Sequence, residues 1–202
     1  IRLLTFVTKN EGFLLRTLNY IWYMIIALLY VIVSRIKFDV VIATSPQFFC
    51  GVAGMLIGKI KRKPFILELR DLWPESIEAV GVTKSKGILS FLSKIEMSMY
   101  RSAKRIVSVT RSFVDILENR GINRDKMVVY YNGVSPDLFL GGEGELSNTE
   151  ISDFLSKGIN IGYIGTVGLA HAVDVFVRAA SLVKDTNFNF IIVGAGAARD
   201  QI

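Results

Sequence analysis

Residues 39–69 read DVVIATSPQFFCGVAGMLIGKIKRKPFILEL. Two short apolar runs, DVVIAT (39–44) and FILEL (65–69), bracket a segment of helical length at 48–60. The first run shows no polar alternation, which predicts a strand buried on both faces. The segment between the runs carries Gly51, Ala53, Gly54 and Gly58, small residues that let a helix lie close on a sheet. Strand, helix and strand in this order form the unit of a parallel sheet with a right-handed crossover.

The same rhythm runs outward. Residues 85–103 place Ile88, Leu92, Ile95, Met99 and Ala103 at helical spacing. IVSVT (106–110) reads as a strand, 111–120 as a helix that Gly121 can stop, and MVVYY (127–131) as a further strand. The expected architecture is α/β, a doubly wound parallel sheet covered on both faces. LGGEGELSN (140–148) then breaks the pattern with a Gly-rich, acidic loop. After it come INIGYI (159–164), a Gly-bearing turn, a helix over 171–184 and FNFIIV (188–193). The predicted organisation is a Rossmann-like domain over 1–138, a linker over 139–157 and the start of a second such domain over 158–202. Two strands do not sustain a core alone. The second domain is therefore expected to continue past Ile202; the chain also starts at Ile1 rather than Met, and both ends are expected to be cut.

YIWYMIIALLYVIV (20–33) is uncharged and followed by Ser34, Arg35 and Lys37. It falls short of the roughly 20 residues that a spanning helix needs. A buried or interfacial helix is expected, with Trp22, Tyr23 and Tyr30 available to lipid head groups; a spanning helix is the alternative. The net charge of +6 and a pI near 9.5 point to an anionic membrane surface, a phosphate-bearing substrate or nucleic acid. A predominantly basic solvated face would account for them equally. No nucleic-acid-binding signature is present. One cysteine and one histidine exclude a disulfide framework and zinc-type spacing. Cys50 sits in an apolar run, as a buried structural thiol would in a reducing compartment.

In open α/β sheets, ligands bind beyond the carboxyl ends of the strands. Those positions here hold Ser45-Pro46-Gln47, Arg70-Asp71-Leu72-Trp73-Pro74-Glu75, Arg111-Ser112, Asn132-Gly133-Val134, Gly165-Thr166-Val167-Gly168-Leu169-Ala170-His171 and Gly194-Ala195-Gly196. In the second group, Asp71 could take a proton from a hydroxyl and Arg70 could grip a phosphate. The competing reading is a structural Arg–carboxylate pair with Trp73 plugging the core. The glycines of 165–168 would let backbone N–H groups meet a diphosphate at a helix N-terminus, or simply close a tight turn. His171 alone reads as an N-terminal helix residue. Gly194, Gly196 and Arg199 only partly match a dinucleotide fingerprint and follow the second strand of their unit, which argues against a nicotinamide enzyme.

Together FDVVIATSP (38–46), PFILELRDLWPES (64–76), YRSAKRIVSVT (100–110), RGINRDKMVVYYNGV (120–134), GYIGTVGLAHAVD (162–174) and FIIVGAGAAR (190–199) resemble the family-4 glycosyltransferases. Their GT-B arrangement has two facing Rossmann-like domains. The likeness is strongest to bacterial members that build capsule, colanic acid and O-antigen polysaccharides. It departs at Tyr131, where the family often has Pro, at Ser135, where Asp is common, and at Ala172, where Gly usually follows the histidine.

The resemblance implies retaining transfer from a nucleoside diphosphate sugar to a lipid-diphosphate-linked saccharide. The enzyme would be peripheral on the inner face of the bacterial cytoplasmic membrane and use neither a metal nor another cofactor. Ser45, Arg70, Trp73, Glu75 and Arg111 would line the acceptor side, with Asp71 as the catalytic candidate. Asn132 and Gly133 would mark the hinge, and Gly165, Thr166, Gly168 and His171 would hold the donor diphosphate. It also implies an earlier strand and Gly-rich loop before Ile1, and two donor-holding Glu eight residues apart beyond Ile202. An inactive gene remnant, a basic membrane- or nucleic-acid-binding module and a sugar-nucleotide epimerase are the alternatives.

Overall fold

The computed structural model describes residues 3, 13–45, 47–73, 85–137, 149–168, 171–185 and 187–202. The chain divides into two compact units, Ile1–Gly133 and Val134–Ile202.

The first unit runs α1 (Phe13–Val33), β1 (Val41–Ser45), α2 (Phe48–Lys61), β2 (Phe65–Leu69), α3 (Lys86–Ser102), β3 (Arg105–Ser108), α4 (Arg111–Asn119) and β4 (Met127–Val129). Its strands form one parallel sheet in the order β1-β2-β3-β4. Val41 lies opposite Phe65, Ile66 opposite Arg105 and Ile106 opposite Met127. Each crossover therefore steps to the next strand in the same direction, and right-handed steps of that kind put successive helices on one face.

Burial follows from this geometry. Phe48, Val52 and Met55 of α2, Met99 and Tyr100 of α3, and Val114 and Leu117 of α4 join Leu67, Leu69 and Ile106 in one cluster. Alternate strand positions point the other way, where Ile42 is 65% exposed. The sequence predicts a first strand buried on both faces, but among the described residues only its helix-facing side is covered. Apolar composition shows that a strand is wanted inside; the direction of the crossovers decides which face is filled.

The small residues of α2 act as predicted. A Cβ on Gly54 would stand 2.5 Å from the Ala43 Cβ and 2.9 Å from the Phe65 ring, so helix and sheet approach closely there. Cys50 is half-buried at the margin of the core. Burial raises its thiol pKa, partly offset by a backbone hydrogen bond from Thr44. Helix α1 rests on α2, burying Ala27 and turning Met24 to the core. Its outer face leaves Leu15, Leu18, Trp22, Ile25, Leu29 and Ile32 exposed. Among the described residues, no helix is long and apolar enough to cross a membrane.

The second unit contains α5 (Thr149–Leu155), β5 (Ile159–Ile164), α6 (Val173–Leu182) and β6 (Phe188–Val193). α5 lies within the segment expected as linker. The strands pair in parallel from Ile159 opposite Phe188 to Ile164 opposite Val193. The side-chain amide of Asn189 donates to the carbonyls of Phe154 and Lys157, tying α5 to β6. Phe176 packs between Tyr163 and Phe190, with ring centroids 6.5 and 5.5 Å away.

Candidate functional site at the strand ends

In the first unit, hydrogen bonds key each strand end to its neighbour. The Arg70 N–H donates to the Ser45 carbonyl at 3.0 Å, Val109 N–H to Leu69 at 3.3 Å and Tyr130 N–H to Ser108 at 2.9 Å. Ser45, only 2% exposed, also donates its hydroxyl to the Asp71 carbonyl at 3.1 Å. A second tie crosses the sheet. Arg70 Nη2 donates to Asn132 Oδ1 at 3.1 Å, linking the loop after β2 to the chain after β4. The Arg70 guanidinium also lies 4.0 Å from the Glu68 carboxylate. Both of those side chains are more than a third exposed, so that pair contributes little to stability.

The structure thus gathers Ser45, Arg70, Asp71 and Asn132 at the carboxyl edge, as the sequence leads one to expect. The guanidinium is engaged by Asn132 and Glu68, and the Asp71 side chain is left half-buried beside it. Burial raises the Asp71 pKa above the ordinary carboxylate value, and the nearby Arg70 charge opposes the rise. Such a carboxylate accepts a proton more readily than a free one. Trp73 does pack into the core, its ring 5.6 Å from that of Phe48, as the structural reading of this loop expects. Arg111 is exposed as the first residue of α4 at the same edge, and Gly133 closes the first unit. Glu75 lies outside the described residues.

Sequence reasoning missed a buried network behind this loop. Glu96 of α3 accepts from the Trp73 backbone N–H and the Tyr100 hydroxyl and pairs with Arg120. The one available signal was local: Glu96 and Tyr100 are four apart on a helix face otherwise apolar.

In the second unit, the chain after β5 is laced to the chain after β6. The Gly165 N–H donates to Val193 and the Val167 N–H to Ala195, both at 3.0 Å, and the Tyr163 hydroxyl donates to the Thr166 carbonyl at 2.7 Å. A Cβ on Gly194 or Gly196 would collide with the carbonyl of Gly165 or Val167. Those two glycines therefore serve close backbone packing. His171 folds back beside Gly168, its N–H donating to the Gly168 carbonyl at 3.0 Å. Ala172 caps α6 in the left-handed region (φ 47°) without a side-chain acceptor. A cavity of about 260 Å³ opens there, lined in part by Gly168, Ala172, Val173 and Ala198. The uncapped amides and the positive end of the helix suit an anion. Asp174 works against that in the first turn, although Arg178 pairs with it at 2.9 Å.

Residues 3–138 match the model of Glycosyltransferase Family 4. WbjE of Pseudomonas aeruginosa, which bears the name of a glycosyltransferase, is 23% identical over 141 residues, covering 68% of this chain and 35% of that protein. WcaI of Escherichia coli (strain K12), whose name places it as a glycosyl transferase of colanic acid biosynthesis, is 20% identical over 174 residues, or 83% of this chain and 42% of its own length. The chain thus spans well under half of the curated relatives it matches. Crystal structures of Anabaena Alr3699/HepE share the α/β fold with parallel sheets. The UDP complex gives a TM-score of 0.60 at 15% identity, over 97% of this chain and 49% of that one. The UDP-glucose complex gives 0.59 at 16%, over 97% and 48%. The fold is that of the GT-B glycosyltransferases, and with two-thirds of its residues inside the family match, the chain belongs to glycosyltransferase family 4.

Proposed function

We propose that this chain forms the acceptor-side unit and the opening of the donor-side unit of a retaining glycosyltransferase. It transfers a sugar from a nucleoside diphosphate sugar to a lipid-diphosphate-linked saccharide in bacterial cell-surface polysaccharide synthesis. The family match, the name of WcaI and the UDP and UDP-glucose complexes of HepE support this reading. The observation that carries it furthest is the anchored Arg70–Asp71 loop at the carboxyl edge of the sheet.

In the transfer, the acceptor oxygen bonds to the anomeric carbon on the face the diphosphate leaves. The diphosphate departs with the electron pair of the broken C–O bond, and Asp71 takes the acceptor hydroxyl proton. The Thr166 and Gly168 backbone N–H groups, with the His171 side chain, carry the charge on the leaving group in place of a metal; the Gly165 and Val167 amides are committed to the chain after β6. The outer face of α1, together with exposed Arg35 and Lys37 just after it, supports peripheral contact with the inner face of the cytoplasmic membrane. The test is transfer by the complete gene product from a panel of nucleoside diphosphate sugars. Release of nucleoside diphosphate coupled to acceptor elongation supports the reading; no transfer from any donor sinks it.

A further inference from the structure

Glu96 is 1% exposed in the middle of α3. An ionised carboxylate is costly in such a place unless its oxygens are fully engaged. Among the described residues, its partners include groups of α3, the loop after β2 and the end of α4. Oε1 accepts from the Tyr100 hydroxyl one turn along α3 at 2.6 Å, and from the Trp73 backbone N–H at 2.9 Å. Oε2 faces Arg120 Nη1, at the end of α4, at 3.3 Å. Trp73 belongs to the loop after β2, two residues from Asp71 and three from Arg70.

A buried ion pair is weak evidence of a stabilising purpose, because well-packed apolar residues commonly do as well. What the pair supplies here is a fixed, charged acceptor aimed at one loop amide. We infer that Glu96 is a positioning residue for the strand-end site. Arg120 holds its charge in place, and that charge pins the Trp73 amide and with it the loop presenting Arg70 and Asp71. The anchors of residues 70–73 then include Asn132 on the Arg70 side chain, Ser45 on the Arg70 amide and the Asp71 carbonyl, and Glu96 on the Trp73 amide. Glu96 touches no reacting atom in this account. The catalytic consequence rests on the proposed function; the pinning of the loop does not.

Amide hydrogen exchange at Trp73 in the folded complete gene product tests the inference. Glu96→Gln keeps the volume but weakens the acceptor and loses the Arg120 pairing. It is expected to speed Trp73 exchange about tenfold, since hydrogen bonds to charged groups exceed neutral ones by that order. Val114→Ala, at a core site 1% exposed on α4, serves as the control for general destabilisation and is expected to leave Trp73 exchange near the wild-type value. Should Glu96→Gln fail to fold, Arg120→Met releases the carboxylate from a site 26% exposed and is expected to shift Trp73 exchange in the same direction by less. Unchanged Trp73 exchange in the folded variants, or an equal change in Val114→Ala, overturns the inference. The exchange readout stands whether or not the complete gene product transfers sugar.

Discussion

The Ser45 hydroxyl donates to the Asp71 carbonyl at 3.1 Å, so the last residue of β1 holds the first turn after β2. Ser45 is nearly inaccessible to water, and its removal would leave that bond unmade on the buried side. Ser45→Ala should lower stability by about 1 kcal/mol, the usual net worth of such a bond. Urea unfolding measures it, with the midpoint falling and the slope unchanged.

Asp71 sets the pH behaviour. Its pKa is raised by burial, so the folded state holds that proton more tightly than the unfolded chain. Asp71 therefore favours folding at low pH, and the advantage is lost as pH rises through the raised value. In its proposed role as base it would work only above that value, so the acid limb of the rate profile should lie above the range of a free aspartate. Arg70 opposes the shift; Arg70→Met should move the limb to still higher pH. A pH–rate profile of the complete gene product for both proteins checks the direction.

Asp71→Asn keeps the shape and removes the base. Transfer should fall by about 10²–10⁴-fold, the span of general base contributions, with the folded state retained by circular dichroism. An unchanged rate would remove Asp71 from the site.

Gly54 offers a contest between two effects. In an open helix, Gly→Ala stabilises by about 1 kcal/mol. Here the new methyl would press on Ala43 and Phe65, and overpacking costs about 1–3 kcal/mol. Crowding should win because both neighbours sit in the sheet core. Thermal unfolding of Gly54→Ala should show a lower midpoint.

The exposed stripe of α1 is the surface proposed to meet a membrane. Ile25 and Leu29 are 41% and 52% exposed on its outer face. Replacing both with serine should weaken flotation with vesicles containing anionic lipid several-fold and leave stability within about 0.5 kcal/mol, as surface changes usually do. Equal flotation of both proteins would remove the α1 stripe as a membrane-contacting surface.

Much of the fold was legible locally. The runs VIA (41–43), FILEL (65–69) and IVS (106–108) are strands because branched apolar residues fill a pleated surface, and the small residues of α2 announced its close approach to the sheet. MVVYY ends early, at Val129, because Tyr130 and Tyr131 turn out to solvent, 70% and 63% exposed. Which face of the sheet the helices cover was not legible, since it depends on strand order. At the site, strand-end position alone brought Ser45, Arg70, Asp71 and Asn132 into view. The bond joining Arg70 to Asn132 spans 62 residues, and no short-range pattern encodes it. Glu96 was hidden for a related reason: its partners Trp73 and Arg120 stand 23 and 24 residues away on either side.

The most direct measurement is the anomeric configuration of the product. The complete gene product would be given a nucleoside diphosphate sugar and a lipid-diphosphate-linked saccharide, and the new linkage read by NMR. The account predicts one glycosidic bond per nucleoside diphosphate released, in the configuration of the donor, with EDTA leaving the rate unchanged. An inverted linkage, or donor consumption without a new glycosidic bond, would contradict it.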